Sequence, residues 1–90
     1  MSREEVRNEI EFGARLQARR RALGLTQAEV AERASVSRAF VINLESGGHT
    51  RAEFGRVLAV VRALDLVIAL NETQPVAFDD ALARLLGGGS

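Results

Sequence analysis

Ninety residues, 47% of them hydrophobic and none a cysteine, make one small domain with no disulfide framework and no thiolate metal site. A chain this short buries roughly 60–65% of its unfolded surface, so it is marginal alone and gains from dimerising. Formal net charge is zero, but residues 13–51 carry seven arginines against three glutamates, a net of +4, while residues 1–12 and 52–90 are each −2.

The first predicted helix runs from about residue 9 to 23. Asn8 with Glu11 marks one start and Ser2 with Glu5 an earlier one. Phe12, Leu16, Arg19/Arg20 and Leu23 give the stripe, and Gly24 the stop. Leu25 then packs inward. Arg20 is expected to pair with Glu45 as a structural contact, and Arg19 and Arg21 to be solvated or phosphate-facing.

Two short helices follow. Thr26 and Glu29 form a capping box opening a helix from Gln27 to Ala34. Ser35 and Val36 make the turn. Ser37 caps a second helix, Arg38 to Glu45, which stops at Ser46-Gly47-Gly48. Ala28, Val30 and Ala31 are read as inward on the first, Val41 and Leu44 on the second. Ser37, Arg38, Ala39, Ile42 and Asn43 are left outward. Small, amide and guanidinium groups at a helix N-terminus suit base edges and phosphates. The layout is that of a helix-turn-helix whose second helix reads the major groove. The basic middle of the chain coincides with it. The bland alternative is an αα-hairpin with a solvated face.

Thr50 and Glu53 suggest another capping box, with Phe54, Val57, Leu58, Val61 and Leu64 forming the core stripe of a helix over about 51–64. Gly55 sits inside it at some cost. Leu66, Val67, Ile68, Ala69 and Leu70 then read as one strand. A lone strand needs a partner edge, and the simplest is the same strand of a second copy. Residues 71–75 read as a linker. Phe78, Leu82, Leu85 and Leu86 mark a short amphipathic helix that is marginal unless docked, and the terminal GGGS reads as a flexible end, native or a cloning scar.

Nothing supports an enzyme or a cofactor. His49 is the single histidine and has no nucleophile set near it. Asp79-Asp80 suit a helix start. No Gly-rich phosphate cradle and no metal site is evident. No apolar run approaches 18 residues and no signal peptide is apparent, which predicts a cytoplasmic protein without a membrane partner.

LGLTQAEVAERASVSRAFVINLESG resembles the helix-turn-helix of lambdoid phage repressors and of the xenobiotic-response-element family of bacterial regulators, over roughly residues 10–64. With the strand ALDLVIAL the chain is similar to HipB-type antitoxins. That resemblance implies an all-α, lambda-repressor-like bundle in which the C-terminal strand pairs across a homodimer. It also implies a protein that binds an inverted-repeat operator in double-stranded DNA, represses its own operon and neutralises a HipA-like kinase toxin. By position it puts Gln27 at a phosphate and Ser37, Arg38, Ala39, Ile42 and Asn43 on DNA-facing positions. Leu66 to Leu70 would form the dimer ribbon, and Phe78, Leu82, Leu85 and Leu86 would face the toxin or, equally, pack back onto the protein's own core. The implied organisation is an N-terminal segment (1–8), a DNA-binding domain (9–64), a dimerising strand (65–71) and a tail (72–90). Two departures stand out. Ser35 replaces the usual turn glycine, and Phe40 and Ile42 replace residues often polar, although apolar groups can contact thymine methyls. A stand-alone phage-type regulator and an interaction protein without specific DNA binding are the rival readings.

Overall fold

The computed structural model describes residues 5–49 and 51–73. Four helices make up the regular structure of those residues: α1 (Glu9–Ala22), α2 (Gln27–Ala34), α3 (Arg38–Glu45) and α4 (Phe54–Ala63).

Each of the first three helices begins on a side-chain cap, which satisfies amide groups that have no partner inside the helix. Asn8 accepts from the Glu11 N–H at 2.8 Å, and the Arg7 N–H donates to the Glu11 carboxylate at 2.8 Å. The helix therefore begins at Asn8; the earlier start would need Ser2, which lies outside the described residues. Thr26 and Glu29 exchange the two bonds of the expected capping box, at 3.0 and 2.8 Å. Ser37 accepts from the Phe40 N–H at 3.0 Å.

All four helices end in one device. A residue in the left-handed region, Gly24, Ser35, Gly47 or Asp65, lets its own N–H and that of the next residue fold back onto the last turn. Gly24 and Leu25 donate to Arg21 and Arg20, Ser35 and Val36 to Glu32 and Ala31, Gly47 and Gly48 to Leu44 and Asn43, and Asp65 and Leu66 to Arg62 and Val61. This is the Schellman arrangement. It turns the following residue inward, and Leu25, Val36 and Leu66 all pack against the core. Ser35 at φ 58° and Asp65 at φ 56° carry the cost of a Cβ in that conformation, about 1 kcal/mol each.

The core joins Leu16 of α1, Val30, Ala31 and Ala34 of α2, Phe40, Val41 and Leu44 of α3, and Val60 and Val61 of α4 with Leu64. Three expectations need correction. Ala28 is exposed, because the inward face of α2 is the Val30/Ala31/Ala34 side. Helix α4 starts three residues later than predicted, with Glu53 as an N-cap that makes no capping bond; its carboxylate lies 3.7 Å from Arg56 instead. Phe54 consequently falls at the exposed first turn, and the buried stripe uses Val60 in its place. Thr50 lies outside the described residues.

The predicted strand is the third. Residues 66–70 adopt no strand. Leu66 packs on the core, but Val67 and Leu70 are 83% and 92% exposed. A single chain offers this segment no edge to pair with, and a ladder is what defines a strand. The tail residues Phe78, Leu82, Leu85 and Leu86, with Asp79-Asp80, lie outside the described residues.

Candidate nucleic-acid interface

Helix α3 divides cleanly. Phe40, Val41 and Leu44 are buried, while Ser37, Arg38, Ala39, Ile42 and Asn43 are exposed. The five residues expected to face DNA thus share one accessible surface. Phe40 does not belong to it. Its side chain is 7% exposed and its ring lies 4.7 Å from that of His49 at a tilt of 59°. Phe40 and Leu44 sit one turn apart, so the core claims both. His49 serves as the lid of that contact.

The rotation of α3 is fixed at its other end. Glu45 is 8% exposed and Arg20 of α1 is 9% exposed. The Arg20 Nε donates to Glu45 Oε2 at 2.6 Å and its Nη2 to Oε1 at 3.1 Å, while Nη1 reaches the Leu25 carbonyl at 2.9 Å. Gln27 of α2 donates to the same Oε1 at 3.1 Å and Gln17 of α1 at 3.4 Å. One carboxylate therefore ties three helices together, and the expected Arg20–Glu45 pair is its centre. Burial pushes the Glu45 carboxyl up. The hydrogen bonds from Arg20, Gln27 and Gln17 and the Arg20 charge outweigh that and hold it below the ordinary 4.5. Glu29 is also held down, first by the Thr26 N–H and then by its hydroxyl.

An open groove runs from the end of α1 to the starts of α2 and α3, lined by Gln17, Arg20, Arg21, Thr26, Gln27 and Arg38 among others. Arg21 and Arg38 are exposed there, whereas Arg20 is committed to Glu45. The N-terminus of α2 opens into this groove with the positive end of its dipole. Gln27 is half-buried, one amide hydrogen engaged by Glu45, which holds the side chain at the groove wall.

Sequence reasoning misplaced Arg19 and missed Gln17 and Gly13. Arg19 is half-buried, and its Nε caps the end of α4 at the Leu64 carbonyl, 2.9 Å away. Gln17 joins the Glu45 cluster. Gly13 lies where α1 crosses α3, and a Cβ on it would come well under 3.0 Å from the Leu44 and Glu45 carbonyl oxygens. A glycine inside a helical pattern is the signal that marked it. No helix among the described residues is long and apolar enough to cross a membrane.

The model of a family described as "Helix-turn-helix domain" matches residues 11–73. Among solved structures, the restriction-modification controller protein C.AhdI from Aeromonas hydrophila is 31% identical, with a TM-score of 0.59 over 64% of this chain and 83% of that one. A chain of a HipA–HipB–O2–O3 complex is 18% identical, with a TM-score of 0.72 over 79% of this chain and 99% of that one. A HipB variant in complex with an O2 20-mer gives 19% and 0.71 over 80% and 99%. No curated protein matches the chain. Two capped helices joined at Ser35, an accessible polar face on the second and a family match over most of the chain lead to one conclusion: the chain belongs to the helix-turn-helix domain family and has the fold of a DNA-binding regulator.

Proposed function

We propose that the protein is a cytoplasmic transcriptional repressor that binds an inverted-repeat operator as a homodimer, and that it works without chemistry or cofactor. The observation that carries this reading is the accessible face of α3, held at a fixed rotation by the Glu45 cluster. In this reading residues 9–64 form the DNA-binding unit. Arg38, Ala39, Ile42 and Asn43 contact bases, and Ser37 and Gln27 contact the backbone. Leu66 to Leu70 pair with the same segment of the second copy. Occlusion of a promoter is then sufficient for repression.

The finer role is that of an antitoxin, with residues 72–90 as the tail that meets a HipA-like kinase through Phe78, Leu82, Leu85 and Leu86. The likeness to HipB chains supports it, since it extends over 79–80% of this chain. The C.AhdI likeness reaches 64%, but its higher sequence identity favours a second reading, a regulator that acts with no toxin. Capture of the product of the adjacent reading frame by the full chain separates the two.

DNA binding is tested by titrating duplex from upstream of the protein's own gene, at low and high salt. Arg38→Ala is expected to cost about 1–3 kcal/mol of binding and to relax preference at one base pair per half-site. Equal losses on operator and scrambled duplexes would make Arg38 a backbone contact.

A further inference from the structure

Resting on the DNA-reading function just given, we propose that Ile42, with Ala39 beside it, is a thymine-methyl reader that makes the operator half-site depend on one particular thymine.

Helix α3 has four large apolar side chains, and three of them belong to the core; Ile42 alone stands out, 38% exposed. One exposed isoleucine is ordinary on a protein surface. Its neighbours give it meaning. Residues three and four apart are adjacent on a helix, so Arg38, Ala39, Ile42 and Asn43 form one continuous patch, all exposed. Arginine and asparagine are the side chains that pair bidentately with guanine and adenine in the major groove. The apolar step between them faces the same groove. The one apolar group that a natural base pair shows there is the thymine 5-methyl.

The patch is also prearranged. An isoleucine in a helix keeps essentially one χ1 rotamer, so little freedom is lost on contact. Burial of Phe40 and the bonds from Arg20, Gln17 and Gln27 to Glu45 prevent α3 from rolling. Ile42 is therefore presented at a fixed angle to the groove.

The test uses the full chain and a pool of randomised duplexes. The selected half-site is expected to hold a thymine close to the guanine read by Arg38. Each thymine of the selected duplex is then replaced singly by deoxyuridine, which removes the 5-methyl and leaves the hydrogen-bonding edges intact. One position is expected to weaken binding about fourfold per half-site, the effect of one buried methyl. Ile42→Ala, which lies outside the core and is checked for helix content by circular dichroism, should weaken binding to the thymine duplex by at least as much. The deoxyuridine substitution should then cost that variant nothing further. Losses that simply multiply, or a selected half-site with no thymine sensitive to deoxyuridine, would overturn the methyl reader and leave the DNA-reading function standing. If the pool yields no enriched sequence, both fail.

Discussion

Replacing Arg20 with methionine keeps most of the apolar stem and removes the guanidinium, so it isolates what the Glu45 cluster contributes. Three bonds disappear: 2.6 and 3.1 Å to Glu45 and 2.9 Å to the Leu25 carbonyl. Glu45 is then a buried carboxylate with only two amide donors, Gln27 and Gln17, and a carbonyl in the turn before α2 loses its side-chain donor. Leaving one member of a buried pair uncompensated costs about 3–5 kcal/mol. A 90-residue chain has roughly 5–13 kcal/mol in all, so the variant should be near the edge of folding at neutral pH. The pH dependence identifies the cause. In the wild type the Glu45 carboxyl is held below its ordinary 4.5. Its contribution is therefore complete above 4.5 and is lost as pH falls through the folded value. In Arg20→Met the carboxyl is held up by burial, so protonation relieves the variant. The stability gap should be widest near neutrality and narrow steadily on acidification. Urea unfolding followed by circular dichroism across that range measures it. A gap under about 1 kcal/mol at neutral pH, or one independent of pH, would refute the reasoning.

Gly13→Ala drives a Cβ into the backbone of α3 and should destabilise by about 1–3 kcal/mol, read as a lowered urea midpoint. Ser35→Gly removes a Cβ from a residue at φ 58° and should stabilise by up to about 1 kcal/mol in the same measurement. Val67→Pro would remove a donor of the proposed ladder and should abolish the dimer and weaken operator binding while the helix signal persists; light scattering on the variant decides it, and a dimer of normal affinity would locate the interface elsewhere.

How much of this was legible in the sequence follows from how local each signal is. The bounds of α2 and α3 rest on caps and left-handed stops, interactions spanning three to five residues, and both helices begin and end where those signals put them. Helix α4 was legible as a helix, with Val57, Val61 and Leu64 on its inward side, but not in the whole of its stripe. Val57-Leu58-Ala59-Val60-Val61 is apolar throughout, so several stripes fit it, and packing against α2 selects the one that buries Val60 and leaves Phe54 outside. Phe40 stands in neither the inward nor the outward set read from the sequence, although its one-turn spacing from Leu44 points to the core. The face of α3 was otherwise read correctly, because burying Val41 and Leu44 leaves its neighbours on the outside. Arg19 was not legible at all. Its acceptor, the Leu64 carbonyl, is 45 residues away, and no local pattern encodes such a contact.

The segment after α4 follows from the same physics. Asp65 takes a left-handed conformation that suits glycine better, and the bond that it permits turns Leu66 back onto the core. The helix stops there, and Arg19 covers the Leu64 carbonyl that the stop exposes. Two separate contacts therefore fix where the chain leaves the bundle. What they launch is a β-branched, apolar run whose alternate side chains have no core left to enter. Unpaired backbone beside exposed Val67 and Leu70 is an edge that invites association. In the proposed homodimer a second copy would supply the matching edge, and a two-fold axis would make the pairing antiparallel and self-limiting. The same axis would relate two α3 faces. Operator half-sites lie one helical turn apart, about 34–36 Å, so the fixed exit at Asp65 and the fixed rotation of α3 at Glu45 together determine whether both faces reach the groove. A regulator assembled this way needs rigidity at those two places, and they are where this chain has a strained backbone residue and a buried ion pair.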